Sequence, residues 1–408
     1  MIVTSPLPNE VYQRNLQNVA NVPVVCTVNT GVVLCYIKFT SLINGQSTEV
    51  LKMPVDANKI EGTVLLKAGW YRVDFMINSP INIVKSYNMG VGEMFILFGH
   101  SVVQGADLQD NSGKIGATDE RVISNSYAPP VFTEAQTLDF KPIRDNSAIG
   151  PFHGIPYAWG LFAQKMVALL NVPVLLIGAG FGGSNINQNY MAVTGQPYSP
   201  PFNSPVGMPF TPLRVSIAYF AKKLGCRAII TQHGINDAGI AAADFYAQFK
   251  TVIEHTQGLP NSKNIGFILI KDDTGNAGFA GHRAKIVDLW QLPNVYQGPD
   301  FADFTATTTA RQDRFHLANA NDKELYANLW ANKLTGQMLS TIAPVTPNIV
   351  LKPFLAEAKP KQPELVANTG SDLQIFVVIL RVLLVVVSLL TGLWLAATTI
   401  KFFKIKGA

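Results

Sequence analysis

The chain has 408 residues, of which 14% are charged and 48% hydrophobic, and its formal net charge is +5. This length predicts two or three domains. There is no basic block outside the extreme C-terminus, which argues against a nucleic-acid-binding protein. The three cysteines, Cys26, Cys35 and Cys226, give neither a disulfide framework nor the spacing of a zinc site.

Residues 1–89 have the pattern of a small β-sandwich. Short β-branched or aromatic runs alternate with turn signals such as Asn29-Thr30-Gly31, and no helical period intervenes. Cys26 and Cys35 flank that turn. They would either face each other on paired strands or, as the pattern favours, remain buried free thiols. Trp70 and Tyr71 are interpreted as core aromatics, with stacking on a sugar ring as the alternative.

Strand and helix signals alternate over residues 90–345, as is typical of a parallel sheet with crossover helices. The first strand of this α/β domain is Met94–Phe98, a continuous apolar run. Further predicted strands are Val172–Ile177, Ala228–Thr231, Ile265–Ile270 and Val295–Tyr296. Two stretches, Ala106–Gly150 and Tyr190–Pro212, are interpreted as long loops at the rim of a site.

The C-terminal part predicts a membrane anchor. Residues 346–371 form a proline-rich linker, and a transmembrane helix with a short basic tail is expected over 372–403. Its uninterrupted apolar part, Val382–Ile400, would extend roughly 28 Å as a helix, enough to cross a bilayer. Lys401, Lys404 and Lys406 would place the C-terminus in the cytoplasm. No signal peptide is evident at the N-terminus, so the side of the membrane that carries the α/β domain is left open.

Four short stretches carry the residues suited to chemistry. Three follow predicted strands and one precedes the last helix. They are Gly99–Ser101, Gly178–Ser184, Gln232–Asp237 and Asp313–His316. Because the carboxyl ends of parallel strands share one edge of a sheet, we expect these stretches to converge.

Acyl transfer requires a nucleophile, a base, an orienting carboxylate and donors for the oxyanion, and these stretches contain all of them. Ser101 is the predicted nucleophile, His316 the base and Asp313 the carboxylate. The backbone N–H groups of Ser101 and Gly182 and the side-chain amide of Asn236 are the predicted oxyanion donors. Considered alone, Ser101 has the alternative role of a helix cap.

The order of these residues resembles the SGNH (GDSL-like) hydrolase superfamily, whose four blocks supply Ser, Gly, Asn and His. The likeness is greater to the carbohydrate-esterase branch that includes sialate O-acetylesterase-like proteins. The resemblance covers about residues 90–340. Within that range it rests also on two further segments, Tyr157–Ala163 and Pro173–Ile177. Two positions depart from the usual first block: His100 replaces Gln or Asp, and Val102 replaces Asn. The resemblance implies a three-layer α/β/α domain and a reaction without a cofactor or metal.

The sequence therefore predicts a membrane-anchored serine esterase that removes O-acetyl groups from carbohydrate. The alternatives are a surface or virion protein that keeps the fold for binding or structure, and a lipid or thioester hydrolase of the same superfamily. Candidate substrate contacts are His100, Gly183 and His233, and Gly183 is also the alternative to Gly182 as an oxyanion donor. Asp237 is expected to shape its loop, and no partner is identifiable for Asp272 or Asp273.

Overall fold

The computed structural model describes residues 1–48, 50–105, 115–128, 132–152, 155–201, 207–273, 279–302, 316–317, 319–347 and 349–354. All of these belong to one compact unit, residues 1–356. The predicted transmembrane helix lies outside the described residues, among which no helix is long and apolar enough to span a bilayer.

The N-terminal residues form antiparallel strands in two sheets. The first sheet has the order β1-β3-β6, with β1 at Ile2–Ser5, β3 at Val19–Thr27 and β6 at Lys59–Lys67. The second contains β5 (Leu51–Pro54), β4 (Leu34–Ser41), β7 (Gly69–Ile77) and the start of β8 (Ile83–Gly99). Side chains from both sheets share one hydrophobic core, as the alternation of apolar and polar residues predicts.

Cys26 and Cys35 are free and buried, on strands that belong to different sheets. Burial raises the pKa of the Cys26 thiol to about 12. Trp70 and Tyr71 are also buried, with 5% and 8% of their surfaces exposed, so neither presents a face to a sugar.

Strand β8 is shared between the N-terminal sheet and the central sheet. Its first part pairs with β7 and with the short strand β2 (Val11–Gln13), and its last part pairs with strands of the central sheet. The domain boundary predicted between residues 89 and 90 falls within this strand. No linker separates the two parts at this boundary, because the same strand continues from the N-terminal sheet into the central sheet.

The central sheet has the order β10-β9-β11-β8-β12-β13-β14. All of its pairs are parallel except that of β9 with β10. Its further strands are β9 (Val122–Asn125), β10 (Phe140–Pro142), β11 (Val174–Gly178), β12 (Ala228–Gln232), β13 (Gly266–Lys271) and β14 (Val295–Asp300). Strands β9 and β10 lie within the predicted rim loop Ala106–Gly150, so this stretch is not a loop throughout.

Helices cover both faces of this sheet. They are α1 (Ser101–Gln104), α2 (Trp159–Leu170), α3 (Ile186–Thr194), α4 (Thr211–Ser216), α5 (Lys222–Leu224), α6 (Ala242–Gly258), α7 (Ala280–Leu289), α8 (Ala320–Lys333) and α9 (Gly336–Thr341). A π-helical turn, Ile217–Ala221, joins α4 to α5. Helix α3 begins before the second predicted loop and occupies its first residues.

Alternate residues of β8 separate the two helical layers. Met94, Ile96 and Phe98 belong to the core that also contains α6 and α7, whereas Phe95 and Leu97 belong to the core that contains α2 and α8. This alternation follows from the two-residue period of a strand. The result is a three-layer α/β/α arrangement in which the sheet is covered on both faces.

The beginning of the predicted linker is attached to the N-terminal sheet. The Thr63 N–H donates to the Lys352 carbonyl at 2.9 Å, and the Phe354 N–H donates to the Thr63 carbonyl at 2.9 Å. The Phe354 ring fills the space above Gly62, where a Cβ would lie 2.4 Å from the ring. The described part of residues 346–354 is therefore part of the folded unit rather than a free spacer.

Candidate active site

Ser101 lies immediately beyond the carboxyl end of β8. A Cβ at Gly99 would come within 2.3 Å of the Gln232 carbonyl oxygen, so β8 and β12 approach too closely here for any side chain. Helix α1 begins two residues later with a half-buried Ser101. The indole N–H of Trp159 donates to the Val103 carbonyl at 2.9 Å and fixes this short helix to α2.

His316 lies against Ser101, although the two are 215 residues apart in sequence. The distance from His316 Nε2 to Ser101 Oγ is 2.7 Å, within the range for direct proton transfer. The next residue is fixed by a buried contact, because the Leu317 N–H donates to the Tyr157 hydroxyl at 2.6 Å. The predicted orienting carboxylate, Asp313, lies outside the described residues.

Gly182 lies beside the nucleophile, in the loop that follows β11. A Cβ at this position would lie 3.6 Å from Ser101 Cβ and 2.8 Å from Gln104 Oε1. The Gly182 N–H donates to that same Oε1 atom at 2.6 Å. The neighbouring Gly183 is exposed and has a φ of +74°, a backbone conformation that favours glycine.

Asn236 lies in the 3₁₀ turn Ile235–Asp237, directly beyond β12. Its Nδ2 donates to the Ser184 carbonyl at 2.8 Å. Asp237, next to it, accepts the Ile186 N–H through Oδ1 at 2.7 Å. The loops after β11 and β12 are thus joined at two points, and Asp237 has the loop-shaping role expected from the sequence.

His100 and His233 lie behind the nucleophile rather than on an open surface. Each is 1% exposed, and their ring centroids are 6.3 Å apart. His100 Nδ1 accepts the Val102 N–H at 3.4 Å and so caps helix α1. Burial lowers the pKa of His233 to about 3, so its ring is neutral. His100 therefore supports the nucleophile turn, and contact of either ring with substrate stays a prediction.

Asp272 connects the loops behind Ser101, a role that the sequence did not reveal. Its Oδ1 accepts the side-chain amide of Gln232, and its Oδ2 accepts the Ile235 N–H, both at 3.0 Å. Oδ2 also lies 3.6 Å from His100 Nε2. The available signal was its position just after β13, at the same edge of the sheet, whereas its partners could be identified only in the folded chain.

Gln104 is the other site residue that the sequence did not indicate. It lies three positions after Ser101 and ends helix α1. No residue-type pattern marks a glutamine at that spacing as part of a site, and its contact with Gly182 joins two loops that are distant in sequence.

In the described part of the chain, no group of three or more His, Cys, Asp or Glu side chains is arranged to hold a metal ion.

No family model matches the sequence, and a search of the curated proteins finds no match. The structure is similar to that of a carbohydrate acetylesterase from Xanthomonas citri, with 15% identity, coverage of 80% of this chain and 73% of that one, and a TM-score of 0.49. It is also similar to a lipase/acylhydrolase from Enterococcus faecalis, with 14% identity, coverage of 60% and 96%, and a TM-score of 0.35. A third similar structure is an acetyl xylan esterase from the rumen bacterium Butyrivibrio proteoclasticus, with 12% identity, coverage of 82% and 92%, and a TM-score of 0.32.

The arrangement within the chain itself is the more specific observation. Ser101 follows β8, Gly182 follows β11, Asn236 follows β12 and His316 precedes α8, so the four residue types occur in the order of the four SGNH blocks. The three strands are neighbours in the order β11-β8-β12, and their carboxyl ends meet at one edge. The described residues therefore have an SGNH hydrolase-like fold.

Proposed function

We propose that this protein is a serine ester hydrolase that removes O-acetyl groups from carbohydrate. The observation that carries the proposal is the 2.7 Å distance between His316 Nε2 and Ser101 Oγ at the carboxyl edge of the parallel sheet. A neutral imidazole in that position can accept the serine proton as Oγ attacks an acyl carbon. Asp313 is proposed to hold the other ring nitrogen and to stabilise the imidazolium that forms.

Each step of this reaction has a group to perform it. Attack by Oγ gives a tetrahedral intermediate whose oxyanion would accept hydrogen bonds from the Ser101 N–H, the Gly182 N–H and the Asn236 amide. His316 then returns its proton to the leaving alcohol, and an acyl-enzyme forms on Ser101. Water, deprotonated by His316, attacks that ester and releases the acid with Ser101 restored.

Labelling with a fluorophosphonate tests the proposal, because this reagent forms a covalent adduct only with an activated serine. We expect the wild-type chain to be labelled, and Ser101→Ala and His316→Ala to lose both labelling and turnover of nitrophenyl acetate. Ser216→Ala is the matched control, since Ser216 is buried outside the site and its hydroxyl has no partner among the described residues. Failure of the wild-type chain to be labelled would favour the binding or structural alternative.

The carbohydrate substrate rests on the resemblance of Pro173–Ile177 and Gly182–Ser184 to the sialate O-acetylesterase-like branch. A site that binds a short acyl group gains little from each further methylene, which contributes about 0.8 kcal/mol only where an apolar pocket receives it. We therefore expect acetate to be the best substrate in a series of nitrophenyl esters from acetate to decanoate, and acetate to be released from at least one acetylated glycan. Preference for octanoate or longer, with no release from any glycan, would favour the lipid hydrolase alternative.

The apolar run Val382–Ile400 lies outside the described residues, and its role as a membrane anchor is part of the same proposal.

A further inference from the structure

One of the predicted oxyanion donors is hydrogen-bonded to a side chain of the same site. The Gly182 N–H donates to Gln104 Oε1 at 2.6 Å. Gln104 lies on the same short helix as Ser101, and a Cβ at Gly182 would lie within 3.6 Å of Ser101 Cβ. The amide oxygen of Gln104 is therefore bound to Gly182 directly beside the nucleophile.

A single N–H group makes one good hydrogen bond at a time, so Gln104 and a substrate oxygen compete for it. An amide oxygen is neutral, and so is the carbonyl oxygen of an ester before attack. Hydrogen bonds to an ionised acceptor are roughly twice as strong as those between neutral groups. Gln104 thus competes well with the ester carbonyl and poorly with the oxyanion that develops during attack.

We propose, on the basis of the function proposed above, that Gln104 is a positioning residue whose side chain competes with the substrate oxygen for the Gly182 N–H of the oxyanion hole. Its side chain satisfies the Gly182 N–H, and gives up that hydrogen bond as negative charge develops on the acyl oxygen. Because only the stronger acceptor displaces Gln104, the side chain withholds the Gly182 N–H from the ester carbonyl, and breaking this hydrogen bond adds to the free energy needed to reach the transition state.

Two substitutions separate this role from plain support of the loop. Gln104→Leu removes the acceptor, so the N–H is free for substrate, and the competing bond of about 0.5–1.5 kcal/mol is lost. We expect kcat/KM for nitrophenyl acetate to rise about 2- to 10-fold. Gln104→Glu is nearly isosteric, but its carboxylate holds the N–H more strongly and opposes the oxyanion. We expect kcat/KM to fall about 10-fold or more.

Separate values of kcat and KM locate the exchange. A higher kcat for Gln104→Leu at constant KM means that displacement accompanies attack, as proposed. A lower KM at constant kcat means that the ester carbonyl already displaces Gln104 on binding, and this would overturn the proposed exchange. The rate of fluorophosphonate inactivation should follow the same order, with Gln104→Leu fastest and Gln104→Glu slowest. Gln291→Leu is the control, because Gln291 is exposed and precedes β14, at the opposite edge of the sheet.

A loss of kcat/KM in both Gln104 variants would show that the side chain only supports the loop, and unchanged kinetics in both would show that it leaves the Gly182 N–H accessible. Either result, in an enzyme that is still labelled at Ser101, overturns this inference and leaves the esterase proposal standing. A wild-type chain with neither labelling nor turnover would overturn the esterase proposal and this inference together.

Discussion

The oxyanion-hole role proposed for Asn236 can be tested with little disturbance of the surrounding residues. One of its amide hydrogens is bound to the Ser184 carbonyl at 2.8 Å, which holds the side chain in one orientation. An amide fixed in this way has a second hydrogen for an oxyanion and needs no reorganisation when charge develops.

We expect Asn236→Ala to lower kcat by about 10²–10³-fold, the scale for loss of one oxyanion donor, with a much smaller change in KM. Steady-state kinetics with nitrophenyl acetate measure both constants. Thermal unfolding serves as the control, since loss of one hydrogen bond should cost only about 1 kcal/mol. A kcat within twofold of wild type would exclude Asn236 from the oxyanion hole.

Asp237 should make stability depend on pH. Burial raises the pKa of its carboxyl to about 8. The unfolded chain releases that proton near the ordinary pKa of about 3.9, so the contribution to stability is complete below about pH 4 and is lost as pH rises through 8. His233 acts in the opposite sense, because its lowered pKa of about 3 gives stability that is present above about pH 6.5 and lost as pH falls.

The window from pH 6.5 to 8 therefore isolates Asp237. We expect the free energy of unfolding of the wild-type chain to decline across it and Asp237→Asn to show a flatter profile, as measured by urea unfolding at several pH values. Asp244→Asn, an exposed aspartate in the first turn of α6, should keep the wild-type slope. An equal slope in the Asp237 variant would mean that this carboxyl is ionised in the folded protein.

At the scale of elements, a buried ion-pair network joins β2, β8 and β12. Glu93 is fully buried and accepts hydrogen bonds from Arg14 Nε at 2.7 Å, Gln13 Nε2 at 2.8 Å and Arg227 Nε at 2.7 Å. Arg227 also donates to the Ile342 carbonyl at 2.8 Å, which attaches the residues after α9. The network fixes the point where β8 passes from one sheet to the other.

We expect Arg227→Met to lower the free energy of unfolding by about 3–5 kcal/mol, because it leaves part of a buried carboxylate uncompensated. Arg214→Met is the matched control: Arg214 is half-exposed and pairs with the exposed Glu134 at 2.7 Å, and such surface pairs contribute about 0–1 kcal/mol. Urea unfolding of both variants gives the comparison. Equal effects would show that the buried network contributes no more than a surface pair.

The same elements show which parts of the fold could be predicted from the sequence. Strands β11, β12 and β13 were confirmed within two residues at each end, because strands covered on both faces are continuous apolar runs. Strand β9 was missed because it is short and has only Val122 and Ile123 as apolar residues. Short strands beside polar loops carry too little periodicity to be distinguished from their surroundings.

The true length of β8 was hidden by its glycines. Gly90 and Gly92 resemble a turn signal, but they make room for Pro173 on the neighbouring segment. A Cβ at Gly92 would lie 2.0 Å from the Pro173 carbonyl oxygen, and one at Gly90 would lie 2.5 Å from its Cγ. Such a close approach is a tertiary property that no local pattern shows. At the site, residue types and order placed Ser101 and His316 together, whereas the contacts of Gln104 and Asp272 depended on the same kind of long-range packing.

At the scale of the whole molecule, the folded unit continues beyond residue 346, where the sequence predicts that the linker begins. Because Lys352 and Phe354 pair with Thr63, we expect a chain ending at residue 356 to remain in solution without detergent and to keep wild-type kcat. A chain ending at residue 347 should have a lower Tm. The full chain should require detergent or lipid if Val382–Ile400 is an anchor. A full chain that is monomeric and soluble without detergent would contradict the anchor.

Strand β8 also fixes how the N-terminal sheets are oriented relative to the α/β/α layers. From Ile83 to Gly99 it forms a continuous rod on the order of 50 Å long, one end of which lies two residues before Ser101. Two domains joined by a flexible linker would sample many relative orientations. The N-terminal sheets and the α/β/α layers share one continuous strand, so their relative orientation is fixed. A partner or substrate surface that binds to the N-terminal strands would therefore lie at a constant distance from Ser101 and in a constant orientation to it.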